Sequence, residues 1–268
     1  MKARSSLNVF ATAFILTVIA TLAWQIDTAK GQVVKDGLIS YWTFDDADIE
    51  DDTVRDVWGE HHGTIMHDPK VVEGKVAQAL ELDGIDDYVD CGSSFNFRDS
   101  DFSIESWIRV DDDDTSYIIC FKDTADNNPH IEFYTNYLAA GNLGAHMLDS
   151  RGSGFRTTYA SSDVTDSQWH HVAMVFKHKE NTVELYLDGK LTVSGTGSII
   201  DALDNFDWGS IGKSHKGELM DGAIDELCIY DRVLSVDEIN RNMEAKGFAA
   251  IESANKLAET WGGVKASK

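Results

Sequence analysis

The sequence holds 268 residues, of which 43% are hydrophobic and 10% aromatic, so it can bury one large core or two small ones. Acidic residues outnumber basic ones 46 to 23, which gives a formal net charge of −23. Such a charge repels phosphate groups and anionic membranes, and it argues against nucleic acid as a partner. With 2 prolines and 21 glycines, the composition is not that of a low-complexity chain.

Residues 1–23 are typical of a secretory signal peptide. Lys2 and Arg4 supply the positive start, and residues 9–23 are apolar and uncharged. An uncleaved membrane anchor is the alternative, although about 20 apolar residues are needed to span a bilayer. We expect the mature chain to be secreted or extracytoplasmic, in a periplasm or at a cell surface, without membrane insertion after cleavage. Residues 24–35 are predicted to form a linker.

The three cysteines, Cys91, Cys120 and Cys228, each lie in an apolar, strand-like run. An odd number leaves at least one thiol unpaired within the chain, and buried free thiols are the interpretation we favour. Whether any two of them pair stays open. No Cys-x-x-Cys pair occurs, so neither a thiolate zinc site nor a dithiol redox site is predicted.

Apolar side chains alternate along most of the chain, which is the period of a β-strand. In the run Phe102-Ser-Ile-Glu-Ser-Trp-Ile-Arg-Val110, the apolar residues at alternate positions share one face, interrupted by Ser106. Asp188-Gly189 separates two such runs and predicts a type I′ hairpin turn. The predicted strands cover residues 37–44, 79–83, 87–91, 102–110, 117–122, 130–134, 143–148, 155–160, 169–176, 182–188, 190–194, 207–212 and 223–231.

One helix is predicted after the last strand. Ser235-Val-Asp-Glu238 reads as a capping box, in which the hydroxyl and the carboxylate satisfy unpaired backbone N–H groups. The helix is expected to run through Met243 and to stop near Gly247. Many short strands followed by one helix predict a sandwich or barrel domain over residues 36–232, with a helical C-terminal tail over residues 233–268.

Two segments resemble the paired strands of the LamG-like jellyroll family, within the concanavalin A-like lectin/glucanase superfamily. They are Gln168-Trp-His-His-Val-Ala-Met-Val175 and Leu185-Tyr-Leu-Asp-Gly-Lys190. The opening strand Gly37-Leu-Ile-Ser-Tyr-Trp-Thr-Phe-Asp45 and the closing strand Gly222-Ala-Ile-Asp-Glu-Leu-Cys-Ile-Tyr-Asp231 also resemble the family, in its order. The resemblance implies an all-β, two-sheet antiparallel jellyroll sandwich. It also implies a secreted binding module, whose ligand the fold does not specify.

A non-catalytic module that recognises carbohydrate is the function we expect, and an extracellular protein-interaction or adhesion module is the alternative. A glycan would stack on flat amphipathic rings. The candidate residues for this role are Trp58, Tyr134, Tyr137, Tyr159 and Trp208. A polysaccharide hydrolase or lyase is less favoured, because no run matches the Glu-x-Asp-x-(x)-Glu strand of the glucanase branches, and Glu81-Leu-Asp83 is followed by Gly-Ile-Asp. Asp225 and Glu226 are adjacent, so strand geometry would point them to opposite faces.

A structural Ca²⁺ ion is also expected, since members of the superfamily commonly carry one and acidic residues occur at matching positions. The candidate ligands are Asp45, Asp86, Asp87 and Asp225. Ca²⁺ takes about 6–8 oxygen ligands, so backbone carbonyls and water would complete the shell. The interpretation that remains open is that these aspartates only cap turns.

Overall fold

The computed structural model describes residues 32–247, except residues 94, 126–127, 137–140 and 162–163, and it gives the backbone alone for residues 156–161. Residues 35–243 form one compact unit, while the described residues 32–34 and 244–247 belong to a second. The predicted signal peptide and most of the predicted linker therefore lie outside the described residues. No described helix is long and apolar enough to cross a membrane.

The larger unit consists almost entirely of antiparallel strands. In chain order these are β1 (Leu38–Trp42), β2 (Ile49–Glu50), β3 (Thr53–Val54), β4 (Gly63–Met66), β5 (Lys70–Glu73), β6 (Gln78–Asp83), β7 (Tyr88–Asp90), β8 (Phe102–Val110), β9 (Ser116–Lys122), β10 (His130–Thr135), β11 (Asn142–Leu148), β12 (Gly154–Ser161), β13 (His170–Lys177), β14 (Thr182–Leu187), β15 (Lys190–Thr196), β16 (Trp208–Ile211) and β17 (Asp221–Tyr230). A single turn of 3₁₀-helix covers Asp46–Asp48, and the α-helix α1 covers Val236–Met243.

The strands form two sheets. The first has the order β15-β14-β13-β8-β17-β6-β5, with β1 also paired to β17. The second has the order β12-β11-β10-β9-β16-β7-β4-β3-β2. Side chains from the inner faces of both sheets form one hydrophobic cluster, which includes Trp42, Phe102, Phe121, Phe133 and Phe176. The predicted all-β jellyroll sandwich is confirmed.

The hairpin between β14 and β15 follows the sequence prediction. Asp188 and Gly189 both have positive φ, at 48° and 73°, as a type I′ turn requires. The capping box also forms, since the Ser235 N–H donates to Glu238 Oε2 at 2.9 Å. The helix ends at Met243, before the predicted stop at Gly247. All three cysteines are buried, and no disulfide joins them.

Candidate functional site

One face of the second sheet carries polar and titratable side chains. Glu132 in β10 is the Cα partner of Cys120 in β9 and of His146 in β11. Partners in an antiparallel register share a face, so three neighbouring strands place these side chains in one row. The alternate residues, such as Ile119 and Phe133, enter the core on the other side of the sheet. We call the surface that carries the row the polar face.

Two histidines of neighbouring strands meet beside Glu132. The Nδ1 atom of His146 lies 3.1 Å from Glu132 Oε2 and 3.1 Å from His130 Nε2. His130 and Glu132 are two residues apart in β10, which puts both on the polar face. This contact series holds one carboxylate oxygen in place from the β11 side.

A third histidine reaches Glu132 from the turn between β16 and β17. The Ser214 N–H donates to the Glu218 carbonyl at 2.8 Å and closes this turn, which carries His215. The Nδ1 atom of His215 lies 2.7 Å from Glu132 Oε1. The two atoms are not aligned as a hydrogen bond, and neither has a hydrogen-bond partner among the described residues. The second carboxylate oxygen therefore makes a close electrostatic contact with the His215 ring, but no aligned hydrogen bond.

Burial and the neighbouring histidines determine the ionisation states of Glu132 and Cys120. Burial raises the pKa of Glu132, but the contacts with His146 and His215 outweigh it and lower that pKa to about 2. The carboxylate is thus ionised although Glu132 is 2% exposed. Burial, and then the negative charge of Glu132, raise the pKa of the Cys120 thiol well above its usual range. The row combines an ionised carboxylate, imidazoles and a protonated thiol.

Beside this row, Lys122 and Trp208 form a second pair on the polar face. Trp208 in β16 is the Cα partner of Lys122 in β9, and His130 is the partner of Lys122 on the other side. Lys122 is 4% exposed, and its ammonium has no hydrogen-bond partner in the described part of the chain. Burial lowers the pKa of the Lys122 ammonium, because it removes the charged group from water. Trp208 is partly buried, so part of its indole ring stays accessible.

Tyr134, a predicted ligand residue, is buried and packs against its neighbours on the polar face. It is 2% exposed, and its ring lies 5.4 Å from the ring of Tyr117. A Cβ atom added to Gly144 would lie 2.4 Å from Tyr134 Cε2, so the glycine makes room for the ring. Tyr159 lies opposite Gly144 in the register of β12, and its side chain is outside the described part. Tyr137 lies outside the described residues altogether.

Trp58, the remaining predicted aromatic, lies next to β1 of the first sheet. It is 40% exposed, and its indole N–H donates to the Leu38 carbonyl at 2.7 Å. The Lys35 ammonium lies 5.8 Å from its ring centroid. Among the candidate aromatics with described side chains, the structure therefore places Tyr134 and Trp208 on the polar face and Trp58 elsewhere.

Two of the predicted Ca²⁺ ligands, Asp45 and Asp225, come together where β1 meets β17. Asp45 Oδ1 accepts a hydrogen bond from the Gln78 N–H, and Asp225 Oδ2 accepts one from the Val76 N–H, each at 2.8 Å. Asp225 is fully buried, and its Oδ1 atom has no hydrogen-bond partner among the described residues. Burial, followed by the charge of Glu226, raises the pKa of Asp225 to about 9.

Glu226 joins this pair, contrary to the expectation from strand alternation. A register irregularity interrupts the β17–β8 pairing between Asp225 and Cys228, and Glu226 has a φ of 53°. A bulge of this kind breaks the alternation of side chains. The Tyr41 hydroxyl donates to Glu226 Oε2, while Oε1 lacks a partner in the described chain. Burial raises the pKa of Glu226 to about 8, and the charge of Asp45 adds to this.

Asp86 and Asp87 do not join Asp45 and Asp225. Their carboxylates cluster with that of Asp83 in an open, acidic cavity of about 640 Å³ that Asp221 also lines. Asp221 precedes Asp225 by four residues in β17, a separation of about 13 Å along a strand. The predicted set of four ligands therefore divides between two places.

Sequence reasoning missed the polar face because its residues converge only through strand pairing. The signal available was the alternation of His130, Glu132 and Tyr134 in a predicted strand. The imidazoles of His146 and His215, from other segments of the chain, complete the cluster. The spacing of residues along the sequence does not predict that they meet Glu132.

Comparison with solved structures supports the fold. The binding domain of Paraclostridial Mosquitocidal Protein 1 matches with a TM-score of 0.57 at 19% identity, covering 76% of this chain and 51% of that one. Domain 4 of a GH43 extracellular arabinanase from Geobacillus stearothermophilus, in complex with arabinotriose, matches at 0.59 and 18% identity, covering 76% and 97%. A botulinum neurotoxin serotype D ligand-binding domain, in complex with N-acetylneuraminic acid, matches at 0.56 and 15% identity, covering 76% and 50%.

The chain spans about half the length of the two toxin domains. No protein with a curated description matches it significantly. The family Laminin_G_3, described as the concanavalin A-like lectin/glucanases superfamily, matches residues 83–240. Because this match covers more than half of the sequence and the sheets have the jellyroll arrangement, the chain belongs to this family of the concanavalin A-like lectin/glucanase superfamily.

Proposed function

We propose that the protein is a secreted or extracytoplasmic, non-catalytic module that binds carbohydrate on its polar face. The observation that carries this proposal is the pairing of Lys122 with Trp208. A partly accessible indole lies in register beside a buried ammonium that has no hydrogen-bond partner among the described residues. A sugar offers both a flat apolar surface for the ring and hydroxyl oxygens for the ammonium.

The polar face has the general make-up of a ligand site. Such sites combine aromatic side chains with a few converging polar groups, and a buried donor without a partner is costly unless a ligand satisfies it. His146, whose side chain is 24% exposed, adds a polar group at the same face. The arabinanase domain in complex with arabinotriose, and the neurotoxin ligand-binding domain in complex with N-acetylneuraminic acid, half of which matches this chain, are precedents for a saccharide ligand.

Glycan-array screening followed by calorimetry tests the proposal. Trp208→Ala should weaken binding of the best glycan at least tenfold, which corresponds to about 1.4 kcal/mol. Lys122→Met should weaken it as well, while Trp58→Ala serves as the matched control and should leave it unchanged. If Trp58→Ala alone abolished binding, the glycan site would have to lie beside β1 and not on the polar face. Absence of any glycan ligand, together with a partner captured by cross-linking, would favour the protein-interaction alternative.

We propose further that a structural Ca²⁺ ion binds between β1 and β17. Asp225 Oδ1 and Glu226 Oε1 are buried carboxylate oxygens without partners among the described residues, and both groups interact with Asp45. Buried carboxylates are costly unless a cation compensates them, and oxygen-rich sets of this kind suit Ca²⁺. Asp86 and Asp87, in the other cavity, are not part of this proposed site.

Thermal unfolding in millimolar Ca²⁺ and in excess chelator tests this second proposal. An ion present at 100 times its dissociation constant stabilises the fold by about 2.7 kcal/mol. For a domain of this size, the melting temperature should rise by about 5–10 °C. Asp225→Asn should abolish the rise, and Asp86→Asn, the matched control, should retain it. An unchanged melting temperature of the unsubstituted protein in the two buffers would refute the proposal.

A further inference from the structure

We propose that the polar face contains a binding site for one divalent transition-metal ion of the zinc class, held by Cys120, Glu132 and His215. The inference goes beyond carbohydrate binding and does not depend on it. It rests on the juxtaposition of three ligand types that the sequence scatters over three elements.

The geometry of the three side chains is that of a chelating set. Their ligand atoms lie within 4.8 Å of one another, and the Glu132 Oε1 and His215 Nδ1 atoms are 2.7 Å apart. Neighbouring ligands of a tetrahedral zinc ion lie about 3.3–3.6 Å apart, so small side-chain shifts would accommodate the ion. The fourth position would be left for water or another small ligand.

The unsatisfied atoms distinguish this set from an ordinary polar network. Glu132 Oε1 and His215 Nδ1 face each other without a hydrogen bond, and neither has another partner among the described residues. Glu132 is 2% exposed, so the burial of its Oε1 atom is offset by the close contact with His215 and not by an aligned hydrogen bond. A cation between the two atoms would satisfy both lone pairs at once.

The other histidines act as positioning residues. His146 contacts Glu132 Oε2, the oxygen that points away from His215, and His130 contacts His146 in turn. A ligating carboxylate is typically oriented by such outer partners. The His146 and His215 side chains are 24% and 13% exposed, which gives an ion access from solvent.

The donor set selects the class of metal. A thiolate, an imidazole nitrogen and a carboxylate oxygen suit Zn²⁺, Co²⁺ or Ni²⁺, whereas Ca²⁺ prefers oxygen ligands alone. Cys120 is protonated in the absence of metal, so binding must form a metal–sulfur bond and release the thiol proton to solvent. The site is therefore chemically distinct from the proposed Ca²⁺ site at Asp225.

Titration of the chelator-treated full chain with ZnCl₂ tests the proposal. Calorimetry in buffers of different ionisation enthalpy should show one ion bound and at least one proton released. The Co²⁺ complex should show a thiolate-to-cobalt charge-transfer band, which Cys120→Ser should remove. His146→Ala should weaken binding about 10–100-fold and His215→Ala by more than that, since outer partners cost less than ligands.

His67→Ala is the matched control, because His67 is an exposed histidine that lines the acidic cavity, and it should leave zinc affinity unchanged. Zinc binding that is as tight in a Cys120→Ser/His215→Ala double variant would overturn the proposal. So would a cobalt complex of the unsubstituted protein without the charge-transfer band, a result that does not depend on whether any variant folds.

Discussion

Replacing Asp56 by Asn should destabilise the protein in a way that depends on pH. Asp56 Oδ1 accepts hydrogen bonds from the backbone N–H groups of Tyr41, Trp58 and Gly59 at 2.9, 3.0 and 2.9 Å. Oδ2 accepts one from the N–H of His61 at 3.2 Å. The amide of Asn keeps one oxygen and presents an NH₂ group to the remaining donors, so some of these bonds must be lost.

The pKa of Asp56 determines how much stability the Asp56→Asn substitution should remove. Burial raises it, but the contact with His61 and the backbone donors outweigh burial and lower the pKa from 3.8 to about 2. A lowering of this size corresponds to about 2 kcal/mol in the free energy of unfolding. Because the folded pKa is the lower one, this stabilisation is fully present above pH 4 and is lost as the pH falls towards 2.

Urea unfolding of the two proteins at pH 7 and pH 3 is the assay. At pH 7 Asp56→Asn should cost about 2 kcal/mol, a midpoint shift of about 1 M for a slope of about 2 kcal/mol/M. At pH 3 the difference should fall to about 1 kcal/mol, since Asp56 of the unfolded chain is then mostly protonated and must lose its proton on folding. An equal cost at both pH values would refute the assignment of this stability to the charge. Asp46→Asn, at an exposed position, is the control and should be neutral.

Three further outcomes are expected. Gly144→Ala should destabilise the fold by about 1–3 kcal/mol in urea, because the added Cβ meets the Tyr134 ring at 2.4 Å; an unchanged midpoint would contradict that contact. Ser235→Ala should cost about 1 kcal/mol by removing the hydroxyl that caps α1 at Glu238, lowering the melting temperature by about 2–4 °C, and no shift would show the cap to be dispensable. Burial lowers the pKa of His171 from 6.5 to about 4, so the unfolded chain binds a proton more readily and the fold should lose about 3 kcal/mol of stability as the pH falls from 6.5 to 4; His171→Phe should flatten that part of the stability profile, and an unchanged profile would contradict this assignment.

Side-chain alternation was sufficient to predict the long strands. The run from Phe102 to Val110 is a strand with the predicted bounds, and the Asp188-Gly189 turn forms as expected. The strands that alternation missed are short or lie at sheet edges. Ile49–Glu50 and Thr53–Val54 are two residues each within an acidic stretch, and Lys70–Glu73 is the edge strand of the first sheet. Their pairing depends on neighbours rather than on their own pattern.

The candidate sites were less predictable because they depend on register and on local irregularity. Alternation placed Asp225 and Glu226 on opposite faces, but the bulge at Glu226 brings both towards Asp45. Cys120, Glu132 and His215 are distant in sequence and meet through the pairing of β9 with β10 and through a turn. A single sequence does not show which strands pair or in what register, and so it does not reveal that these three residues are neighbours.

The position of β17 has a consequence for how the chain folds. This strand, residues 221–230, lies between β8 and β6 and also pairs with β1, which begins at residue 38. The first sheet therefore cannot be completed until nearly the whole domain has been synthesised. Contacts of such long sequence separation make folding slow, because a large loop must close before they stabilise anything. A chain truncated before residue 221 would keep unpaired strand edges on β8 and β6, which favour aggregation.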